Sequence, residues 1–560
     1  MVIDNYYIAD QFSLLSKLMD IHGENSFKTK SYSIAAFTIE KLPEQLAVMP
    51  HEKIFAIKGI GDAIGKKIIG ILETNQLKLL TEYVQKTPPG VIEMLNIKGI
   101  GPKKIATIWK EMEIESIGEL LYACNENRLL LYKGFGEKTQ NNVKTTIEFY
   151  LKNQGSYLFA EAEPFALVMD RKLREYFPSA KFEITGEFRR HLEIINQLEW
   201  TTTAETNRLK DFLEANHLTV ETLPGNRLSC KGAEAINLIF YCTDQQLFFT
   251  KLFETSCSIE FMDGWKKEFG WSDALFFDSE EAIFRSSGLA FIPAFLREEA
   301  AVIEDAKKQP LAPVIETGDI RAIIHSHSNW SDGSNTIEEM AAACIAKGYE
   351  YMVISDHSKS AFYANGLSEE RIMEQHRYID ELNQKLSPFK IFKSIECDIL
   401  NDGSLDYSAN ILSTFDLVIA SIHSNLKMTE EKAMQRLLTA IQNPYTAILG
   451  HMTGRLLLSR PGYPVDHKKI IDACAANQVA IELNAHPRRL DMDWRWIPYA
   501  LKKEVLISID PDAHALSGYE DIKYGVLAGQ KARLGKESNL SSFGLARFEA
   551  FLSGKRKTRV

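Results

Sequence analysis

The sequence predicts a multidomain protein with an all-α N-terminal part, a mixed α+β middle part and a parallel α/β C-terminal part. The chain has 560 residues, which is too many for one hydrophobic core. Residues 1–150 place apolar residues at three- and four-residue spacing and contain a repeated glycine motif, a pattern typical of helices. From Asp319 onward, short apolar runs alternate with helical segments, as in parallel α/β folds.

Composition is that of an ordinary globular protein, with 45% apolar and 25% charged residues. No window approaches the roughly 20 apolar residues that span a bilayer, and the N-terminus lacks a signal-peptide pattern. The seven cysteines lie far apart without a CxxC pair, which suits a reducing compartment. We therefore expect a cytoplasmic protein without a membrane partner. The net charge of −10 gives no global sign of nucleic-acid binding, although a local basic surface can coexist with acidic domains.

A glycine motif recurs in the helical part. Ile57-Lys58-Gly59-Ile60-Gly61 returns as Ile97-Lys98-Gly99-Ile100-Gly101 and, more loosely, as Tyr132-Lys133-Gly134-Phe135-Gly136. A lysine-bearing stretch with helical spacing follows each copy. Thr87-Pro88-Pro89-Gly90 separates the first two copies, so we expect one domain at residues 1–85 and a second at 86–150.

This motif is the signature of a helix-hairpin-helix, which holds the backbone of DNA without reading its sequence. The glycines let the hairpin come close to a phosphate, and the next helix offers free N–H groups. Nearby lysines add positive charge. A single GxG is usually only a turn, but its repetition favours DNA binding. The candidate contacts are Gly59, Gly61, Lys66, Lys67, Gly99, Gly101, Lys103 and Lys104.

Residues 151–310 mix helical stretches with short β-like runs, at 181–184 and 236–241, and are expected to form an α+β domain. The stretch 307–318 contains Pro310 and Pro313 and predicts a linker into the last domain, residues 319–560.

The last domain contains seven strand candidates, at 321–324, 351–354, 391–395, 417–420, 447–449, 479–483 and 505–509. Imidazole and carboxylate groups follow or end six of them. These candidate catalytic and metal-binding residues are His325, His327, Asp332, His357, Glu396, His423, His451, Asp512 and His514. Because an α/β barrel gathers its functional groups at the carboxyl ends of its strands, we expect these side chains to converge.

Imidazole nitrogen and carboxylate oxygen suit Zn²⁺ or Mn²⁺, and the ligands exceed what one ion needs, so we expect two or three ions. Neighbouring ions roughly 3.5–4 Å apart can hold a phosphate and activate water, which allows phosphate-ester hydrolysis without a protein nucleophile. A lone HxH or DH pair is more often an ordinary packed or surface histidine. Placement at the ends of several strands is harder to explain by packing.

The last domain resembles the PHP (polymerase and histidinol phosphatase) domain. The matching motifs are His325-Ser326-His327, Ser331-Asp332-Gly333, Ser355-Asp356-His357-Ser358, Glu396, His423, Gly450-His451 and Asp512-Ala513-His514. The resemblance implies a distorted seven-stranded β/α barrel with a trinuclear centre. Its ligand sets would be His325, His327, Glu396 and Asp512 for one ion, Glu396, His423 and His451 for a second, and Asp332, His357 and His514 for a third.

Two arginines of the last domain, Arg455 and Arg460, are candidate phosphate contacts. The alternative is that they are ion-paired arginines of the barrel.

The whole chain resembles bacterial family X DNA polymerases that carry a C-terminal PHP domain. Besides the hairpins, the resemblance rests on Gly23-Glu24-Asn25-Ser26-Phe27-Lys28, Ser287-Gly288-Leu289-Ala290-Phe291-Ile292-Pro293 and Leu296-Arg297-Glu298. Lys67 falls where family members with deoxyribose-phosphate lyase activity carry their Schiff-base lysine. A helix lysine beside DNA is also useful for its charge alone.

The nucleotidyltransferase motif of that family is altered here. Glu187 replaces its serine, Gln197 and Glu199 occupy the positions of two aspartates, and Asn237 that of a third. We expect the fold to survive as a palm- and thumb-like domain whose polymerase activity is lost or strongly impaired. The alternative is a misaligned motif in which Asp244 or a neighbour supplies the missing carboxylate.

We therefore expect a DNA-binding, metal-dependent phosphodiesterase, a 3′–5′ exonuclease or 3′-end-processing enzyme that repairs gapped or 3′-ended DNA. The alternatives are an active family X polymerase and exonuclease in base excision repair, a small-molecule phosphatase of the histidinol-phosphate type, and a non-catalytic DNA-binding scaffold. The hairpins argue against the phosphatase, and the intact ligand set argues against the scaffold. The sequence leaves the oligomeric state open and is compatible with a monomer.

Overall fold

The computed structural model describes residues 5–40, 42, 44–97, 99–151, 155–232 and 236–557, so Lys98 of the second hairpin copy lies outside the described residues. The chain forms two compact units, residues 1–150 and 151–560. The finer division into domains at 1–85, 86–150, 151–310 and 319–560 stays a prediction. Within the described ranges, none of the helices is long and apolar enough to cross a lipid bilayer.

The first unit is built from helices in its described part. They are α1 (Asn5–His22), α2 (Ser26–Glu40), α3 (His51–Phe55), α4 (Asp62–Thr74), α5 (Lys78–Lys86), α6 (Pro89–Glu93), α7 (Pro102–Lys110), α8 (Ile117–Asn125) and α9 (Glu137–Leu151), the last of which ends at the start of the second unit. Short 3₁₀ turns lie at Leu46–Val48, Met94–Asn96 and Arg128–Leu131. The predicted all-α character of this part is confirmed.

The three glycine motifs share one backbone conformation. Gly59, Gly99 and Gly134 have φ values of 94°, 98° and 95°, a region that side-chain-bearing residues rarely adopt. Each is followed by a buried apolar residue, Ile60, Ile100 or Phe135, that anchors its hairpin. The looser third copy therefore turns as the other two do.

The beginning of the second unit is an α+β region, as predicted. Its strands are β1 (Tyr157–Leu158), β2 (Phe182–Thr185), β3 (Ile194–Ile195), β4 (Gln197–Thr202), β5 (Thr219–Leu223), β6 (Arg227–Lys231) and β7 (Asn237–Cys242). Its helices are α10 (Phe159–Tyr176), α11 (Gly186–Arg189), α12 (Thr206–Ala215), α13 (Phe248–Thr255), α14 (Ile259–Phe269), α15 (Glu280–Ser286) and α16 (Ala301–Lys308). A five-stranded sheet has the order β2-β4-β7-β6-β5, with β4 and β7 parallel.

The rest of the unit is a seven-stranded parallel sheet with the order β14-β13-β12-β11-β10-β9-β8. These strands are β8 (Ala322–Ile323), β9 (Tyr351–Ile354), β10 (Lys390–Asp398), β11 (Leu417–Ser421), β12 (Thr446–Leu449), β13 (Ala480–Asn484) and β14 (Ile507–Asp510). A parallel bridge between Ser326 and Ala513 joins the segments that follow the first and last strands. The predicted distorted barrel is confirmed.

Helices cover the barrel from outside. They are α17 (Ile337–Ala346), α18 (Glu369–Leu386), α19 (Ala409–Leu412), α20 (Glu430–Gln442), α21 (His467–Asn477), α22 (Ile497–Lys502), α23 (Ile522–Lys531) and α24 (Leu545–Lys557). A hydroxyl residue caps the start of α17, α18 and α20, namely Thr336, Ser368 and Thr429. Each hydroxyl oxygen accepts a hydrogen bond from a backbone N–H in the first turn of its helix. Most strand residues are buried, as in β9, which explains the short apolar runs of their sequences.

The α+β region packs against the barrel through ion pairs. Glu161 accepts a hydrogen bond from Arg488 at 2.8 Å, and Glu163 accepts one from Lys523 at 2.6 Å. Lys531, whose side chain is fully buried, donates to the Arg190 carbonyl oxygen at 2.7 Å. Burial lowers the pKa of Lys531 to about 8. The two regions are thus parts of one unit.

Candidate metal centre and DNA-binding hairpins

The predicted ligand side chains lie together at the carboxyl ends of the barrel strands. Three of them follow β8, and the others belong to β10 or to the segments after β9, β11, β12 and β14. All are buried except Asp332 and His423, which keep partial exposure. The structure therefore brings every one of these residues into one buried centre.

The first group consists of His325, His327, Glu396 and Asp512, whose ligand atoms all lie within 4.8 Å of one another. His325 Nε2 is 3.3 Å from Glu396 Oε1 and 3.3 Å from Asp512 Oδ1. His327 Nε2 is 3.0 Å from the same Asp512 oxygen. The two imidazoles and two carboxylates face a common point, where one cation would neutralise both carboxylates.

Glu396 also belongs to a second group, with His357 and His423. Its Oε1 atom lies 3.0 Å from His423 Nε2 and 3.0 Å from His451 Nε2, while its Oε2 atom lies 3.0 Å from His357 Nδ1. A carboxylate shared between groups is suited to bridging two ions.

The third group contains His327, Asp332, His357 and His514. Asp332 lies 3.6 Å from His357 Nε2 through one oxygen and 3.6 Å from His514 Nε2 through the other. The groups overlap more than the expected ligand sets do, because His327 and His357 each belong to two of them. Which ion each residue holds stays a prediction.

The donor set fits metal ions. His325 Nε2 and Glu396 Oε2 are buried, yet neither makes a hydrogen bond of good geometry to a described residue. Buried polar atoms are normally hydrogen-bonded, and exceptions of this kind are expected where an ion takes the place of a hydrogen. Imidazole and carboxylate together suit Zn²⁺ and Mn²⁺.

The electrostatics of the centre favour the ligating protonation state of Glu396 and His327 but not of His423, because the carboxylates of Glu396 and Asp398 outweigh burial and raise the pKa of His423 to about 10. Burial, with the nearby imidazoles of His514 and His357, lowers the pKa of His327 to about 3. Burial alone would raise the pKa of Glu396, but the imidazoles of His423, His325 and His357 outweigh it and hold the pKa well below its usual range. A neutral imidazole and an ionised carboxylate are the ligating forms.

Sequence reasoning missed the residues that orient the ligands. Glu482, on β13, lies 2.5 Å from His325 Nδ1 through one oxygen and accepts the His451 backbone N–H at 3.0 Å through the other. Asn484 donates to Asp512 at 3.0 Å. The signal was present, because Glu482 interrupts an apolar strand and a buried charge must be paired.

Arg455 and Arg460 lie in the loop after β12. Arg455 pairs with Asp493 at 2.7 Å and donates from Nε to the Arg489 carbonyl oxygen at 3.0 Å. Arg460 donates to the Gly454 carbonyl oxygen at 2.9 Å. This geometry favours the ion-paired alternative for Arg455, and a phosphate contact by either arginine stays a prediction.

The hairpins of the first unit present open backbone. A Cβ atom built on Gly61, Gly99 or Gly101 would meet no atom within 4 Å, so a phosphate could approach these positions. Gly61 and Gly101 immediately precede α4 and α7, whose first N–H groups point toward the same approach. Gly59 is more enclosed, since a Cβ there would lie 3.4 Å from the Thr38 hydroxyl oxygen, and a phosphate contact at any of these glycines stays a prediction.

The hairpin lysines differ in exposure. Lys66 and Lys103 are exposed, whereas Lys67 and Lys104 are half-buried and lie over the rings of Tyr32 and Phe135 at 5.8 and 5.5 Å. The contact of each of these lysines with DNA, and a lyase role for Lys67, stay predictions.

Fold and site together define a PHP-domain protein with N-terminal helix-hairpin-helix modules. Residues 324–486 match the PHP domain family, residues 3–77 a helix-hairpin-helix domain, and residues 91–145 a SAM-like helix-hairpin-helix tandem.

Similarity to one relative extends over nearly the whole chain. It is 31% identical over 556 residues to the DNA polymerase/3′-5′ exonuclease PolX of Bacillus subtilis (strain 168), covering 95% of this chain and 96% of that protein. The chain therefore belongs to the PolX family of bacterial family X polymerases, which confirms the resemblance seen in its motifs.

Shorter similarities are confined to one part of the chain. Probable phosphatases from Caldanaerobacter subterraneus and Escherichia coli O81 are 29% and 27% identical over 171 and 170 residues, 29% of this chain and 60% and 62% of those proteins.

Replacement of Glu482 by Gln should weaken metal binding. Gln keeps the size of the side chain but removes the charge that orients His325 through Nδ1, and loss of such a partner typically costs 10–100-fold in metal affinity. We would measure bound Mn²⁺ by calorimetry and by metal analysis after dialysis. The exposed Glu520 offers a matched control, and Glu520→Gln should bind metal as the wild type does. Equal metal content in the Glu482→Gln protein would contradict a positioning role.

Proposed function

We propose that this protein is a DNA-binding, metal-dependent phosphodiesterase that removes or processes the 3′ ends of gapped or 3′-ended DNA during repair. The observation that carries the proposal is the buried centre of overlapping imidazole and carboxylate groups in a chain that also contains tandem helix-hairpin-helix modules. A phosphoester centre supplies the chemistry, and the hairpins give a reason for DNA as its substrate.

The residues of the chain would bind and orient, while the metal ions supply the reactivity. Bound ions of this kind polarise a phosphoryl group and activate water. His325, His327, Glu396 and Asp512 would hold one ion deep in the barrel, and Glu396 would share its carboxylate with the neighbouring ion. Burial of these side chains strengthens their interactions, because little water competes for the charges.

Substrate would reach the centre from the side of Asp332 and His423. These two candidate ligands are the ones that are not fully buried, so a scissile phosphate would meet the ions held by the second and third groups first. Mn²⁺ or Zn²⁺ would be the native metal, in two or three sites, since both ions accept nitrogen and oxygen ligands.

An impaired polymerase site is supported by the geometry of β4 and β7. Gln197 pairs in register with Asn237, and Glu199 lies on the same face of β4 as Gln197. The three positions are therefore neighbours, as the family motif requires, but only one of them is a carboxylate. One carboxylate is a poor substitute for the set that two-metal nucleotidyl transfer uses.

The remaining carboxylate, that of Glu199, is poorly disposed to bind a metal ion. Glu199 is buried, and Tyr241 donates a hydrogen bond to its Oε1 atom at 2.7 Å. Its Oε2 atom would lie 1.6 Å from a Cβ on Gly186, so the carboxylate packs directly against the altered motif. Burial raises the pKa of Glu199, which disfavours the charged form that metal binding needs.

Asp244 is a poor replacement for the missing aspartates. It lies beyond the end of β7, whereas Asn237 begins that strand. At about 3.3 Å per residue, the two ends of β7 are roughly 17 Å apart. Two arginines that closely follow Glu187 in the sequence are also ion-paired: Arg189 with Glu280 at 2.5 Å and Arg190 with Glu298 at 2.9 Å.

Two other functions have a specific observation in their favour. Similarity to a relative named DNA polymerase/3′-5′ exonuclease over nearly the whole chain favours an active polymerase with exonuclease activity. Similarity of 29% of the chain to a probable phosphatase favours a small-molecule phosphatase, but such an enzyme has no need of hairpins that hold DNA. Primer extension distinguishes the first of these from the proposal, and cleavage of DNA distinguishes the second.

Cleavage should depend on metal and on the first ligand group. We expect the full chain to degrade a labelled gapped duplex from its 3′ end with Mn²⁺, EDTA to abolish cleavage, and added Mn²⁺ to restore it. The His325→Ala, His327→Ala double variant should lose several orders of magnitude in rate. His217→Asn changes an exposed histidine and is the matched control. Wild-type cleavage by the double variant would contradict the proposal.

DNA should be held through its backbone by the hairpins. Replacement of the exposed Lys66 and Lys103 by Ala in the full chain should weaken binding to gapped DNA on all sequences alike. It should also reduce the slope of log affinity against log salt by about one for each phosphate that a lysine no longer neutralises. Lys308→Ala, also an exposed lysine, should leave the slope unchanged. A double variant with the wild-type slope would argue against a role for these two lysines.

Primer extension should be absent or very weak. The test uses a one-nucleotide gap, all four dNTPs and Mg²⁺ or Mn²⁺, in a His325→Ala background that suppresses degradation. A neutral amide at Gln197 and the added methylene of Glu199 each disturb ion placement, and a shift of about 1 Å can cost roughly 100-fold. Robust extension that disappears in the Glu199→Ala variant would show an active polymerase site.

A further inference from the structure

We propose that Phe362 is a stacking platform for an unpaired nucleobase of a DNA end beside the metal centre. The inference rests on the proposed function and names the substrate feature that the site would recognise. Its basis is an exposed aromatic side chain on a loop that is fixed at the mouth of the barrel.

The exposure of Phe362 is unusual because the backbone around it is buried. Phe362 is 81% exposed, whereas Ala361 and Ala364 on either side are fully buried. Single exposed apolar residues are common on protein surfaces, so exposure alone decides nothing. Here the loop is anchored from below by its alanines and holds the aromatic ring outward.

Hydrogen bonds fix both ends of this loop to a candidate ligand segment. The loop begins directly after His357, and a hydrogen bond from the Leu367 N–H to the His357 carbonyl oxygen at 2.9 Å closes it. Gly366 closes it tightly, because a Cβ there would lie 1.9 Å from the Ser358 carbonyl oxygen. Phe362 is thus attached to the segment that carries one of the candidate ligands.

The tip of the loop is tied to a second ligand segment. Asn365 ends the 3₁₀ turn that begins at Phe362, and its side chain donates to the Trp330 and Ser331 carbonyl oxygens at 3.2 and 3.4 Å. Ser331 immediately precedes Asp332. One 3₁₀ turn advances about 6 Å, so the Phe362 backbone lies about one nucleotide's length from the Asn365 anchor.

The loop is also braced from the side. The Ser360 N–H and hydroxyl both donate to Asp406 at 2.6 Å, and the Lys359 N–H donates to the Tyr407 hydroxyl at 2.9 Å. These bonds hold the loop in place before any substrate arrives. Because the backbone that carries the ring is fixed beforehand, the loop loses little conformational freedom on binding.

A nucleobase is the ligand that fits these features. The loop of Phe362 is tied to the segment of Asp332, which keeps partial exposure, and this is the side from which a phosphodiester would enter. Lys359, three residues away, is half-exposed and pairs with Glu369 at 3.6 Å, so recognition rests on the ring and not on the charge of this lysine. Stacking on an aromatic ring accepts every base but requires the base to be unpaired, so it favours single-stranded ends.

The test compares Phe362→Ala with Phe362→Trp in the full chain. The probe is a single-stranded oligonucleotide with 2-aminopurine in its 3′-terminal dinucleotide, in EDTA so that it is not cleaved. We expect the wild type to quench the fluorescence, and Phe362→Ala to lose the quenching and bind roughly 10-fold or more weakly. Phe362→Trp should retain both. Ile345→Ala, an exposed apolar residue at the end of α17, is the matched control and should match the wild type.

Kinetics separate this inference from the proposed function. With Mn²⁺, Phe362→Ala should lose far more activity on the oligonucleotide than on bis(p-nitrophenyl) phosphate, which has no nucleobase. A wild type that cleaves no DNA would overturn the proposed function itself. The stacking role alone would be overturned if the wild type cleaves DNA and the Phe362→Ala variant shows unchanged quenching and an unchanged KM. It would also be overturned if the variant differs from the wild type only in its oligomeric state.

Discussion

Burial of the Glu396 carboxylate is the constraint on which the barrel's centre depends. Its side chain is almost fully buried and lies within 3.0–3.3 Å of imidazole nitrogens from His325, His423 and His451. A buried anion is stable only if positive charge or hydrogen bonds compensate it. Nearby imidazoles supply this positive charge when they are protonated, and cations bound between the rings would supply it in their place. The strands carry their ligands into this one region because parallel strands end at the same edge.

The fold and the composition of the candidate centre could be predicted from the sequence because both depend on local patterns. Buried parallel strands leave apolar runs, and ligands that follow these runs must meet at one end of the sheet. The partners of the ligands could not be predicted in the same way. Glu482 lies 157 residues from His325 in the chain, and their contact depends on the curvature that closes the barrel. The pairing of Arg455 with Asp493 likewise depends on the path of two long loops.

The packing of the α+β region does not depend on the polar residues that the family motif places on β4 and β7. Leu198 and Trp200 of β4 are fully buried, and this packing does not require aspartates at the neighbouring positions. The sequence predicts the replacement of those residues, but not that Glu199 would be held by Tyr241 against Gly186. That arrangement follows from the register of β4 with β7, which places Tyr241 beside Thr201. The residue type at position 199 and the packing of its side chain therefore both affect the same part of the sheet.

The candidate binding features address different parts of a nucleic acid. Glycine-bounded hairpins approach phosphates and ignore sequence, an exposed aromatic ring accepts any unpaired base, and a buried metal centre acts on a phosphodiester wherever it is delivered. None of these features reads the identity of a base. Selectivity would then come from the structure of the DNA, because bases inside a duplex already stack on their neighbours while a free end can offer both a base and a phosphate. An enzyme built this way would distinguish damaged or interrupted DNA from intact duplex by accessibility instead of sequence.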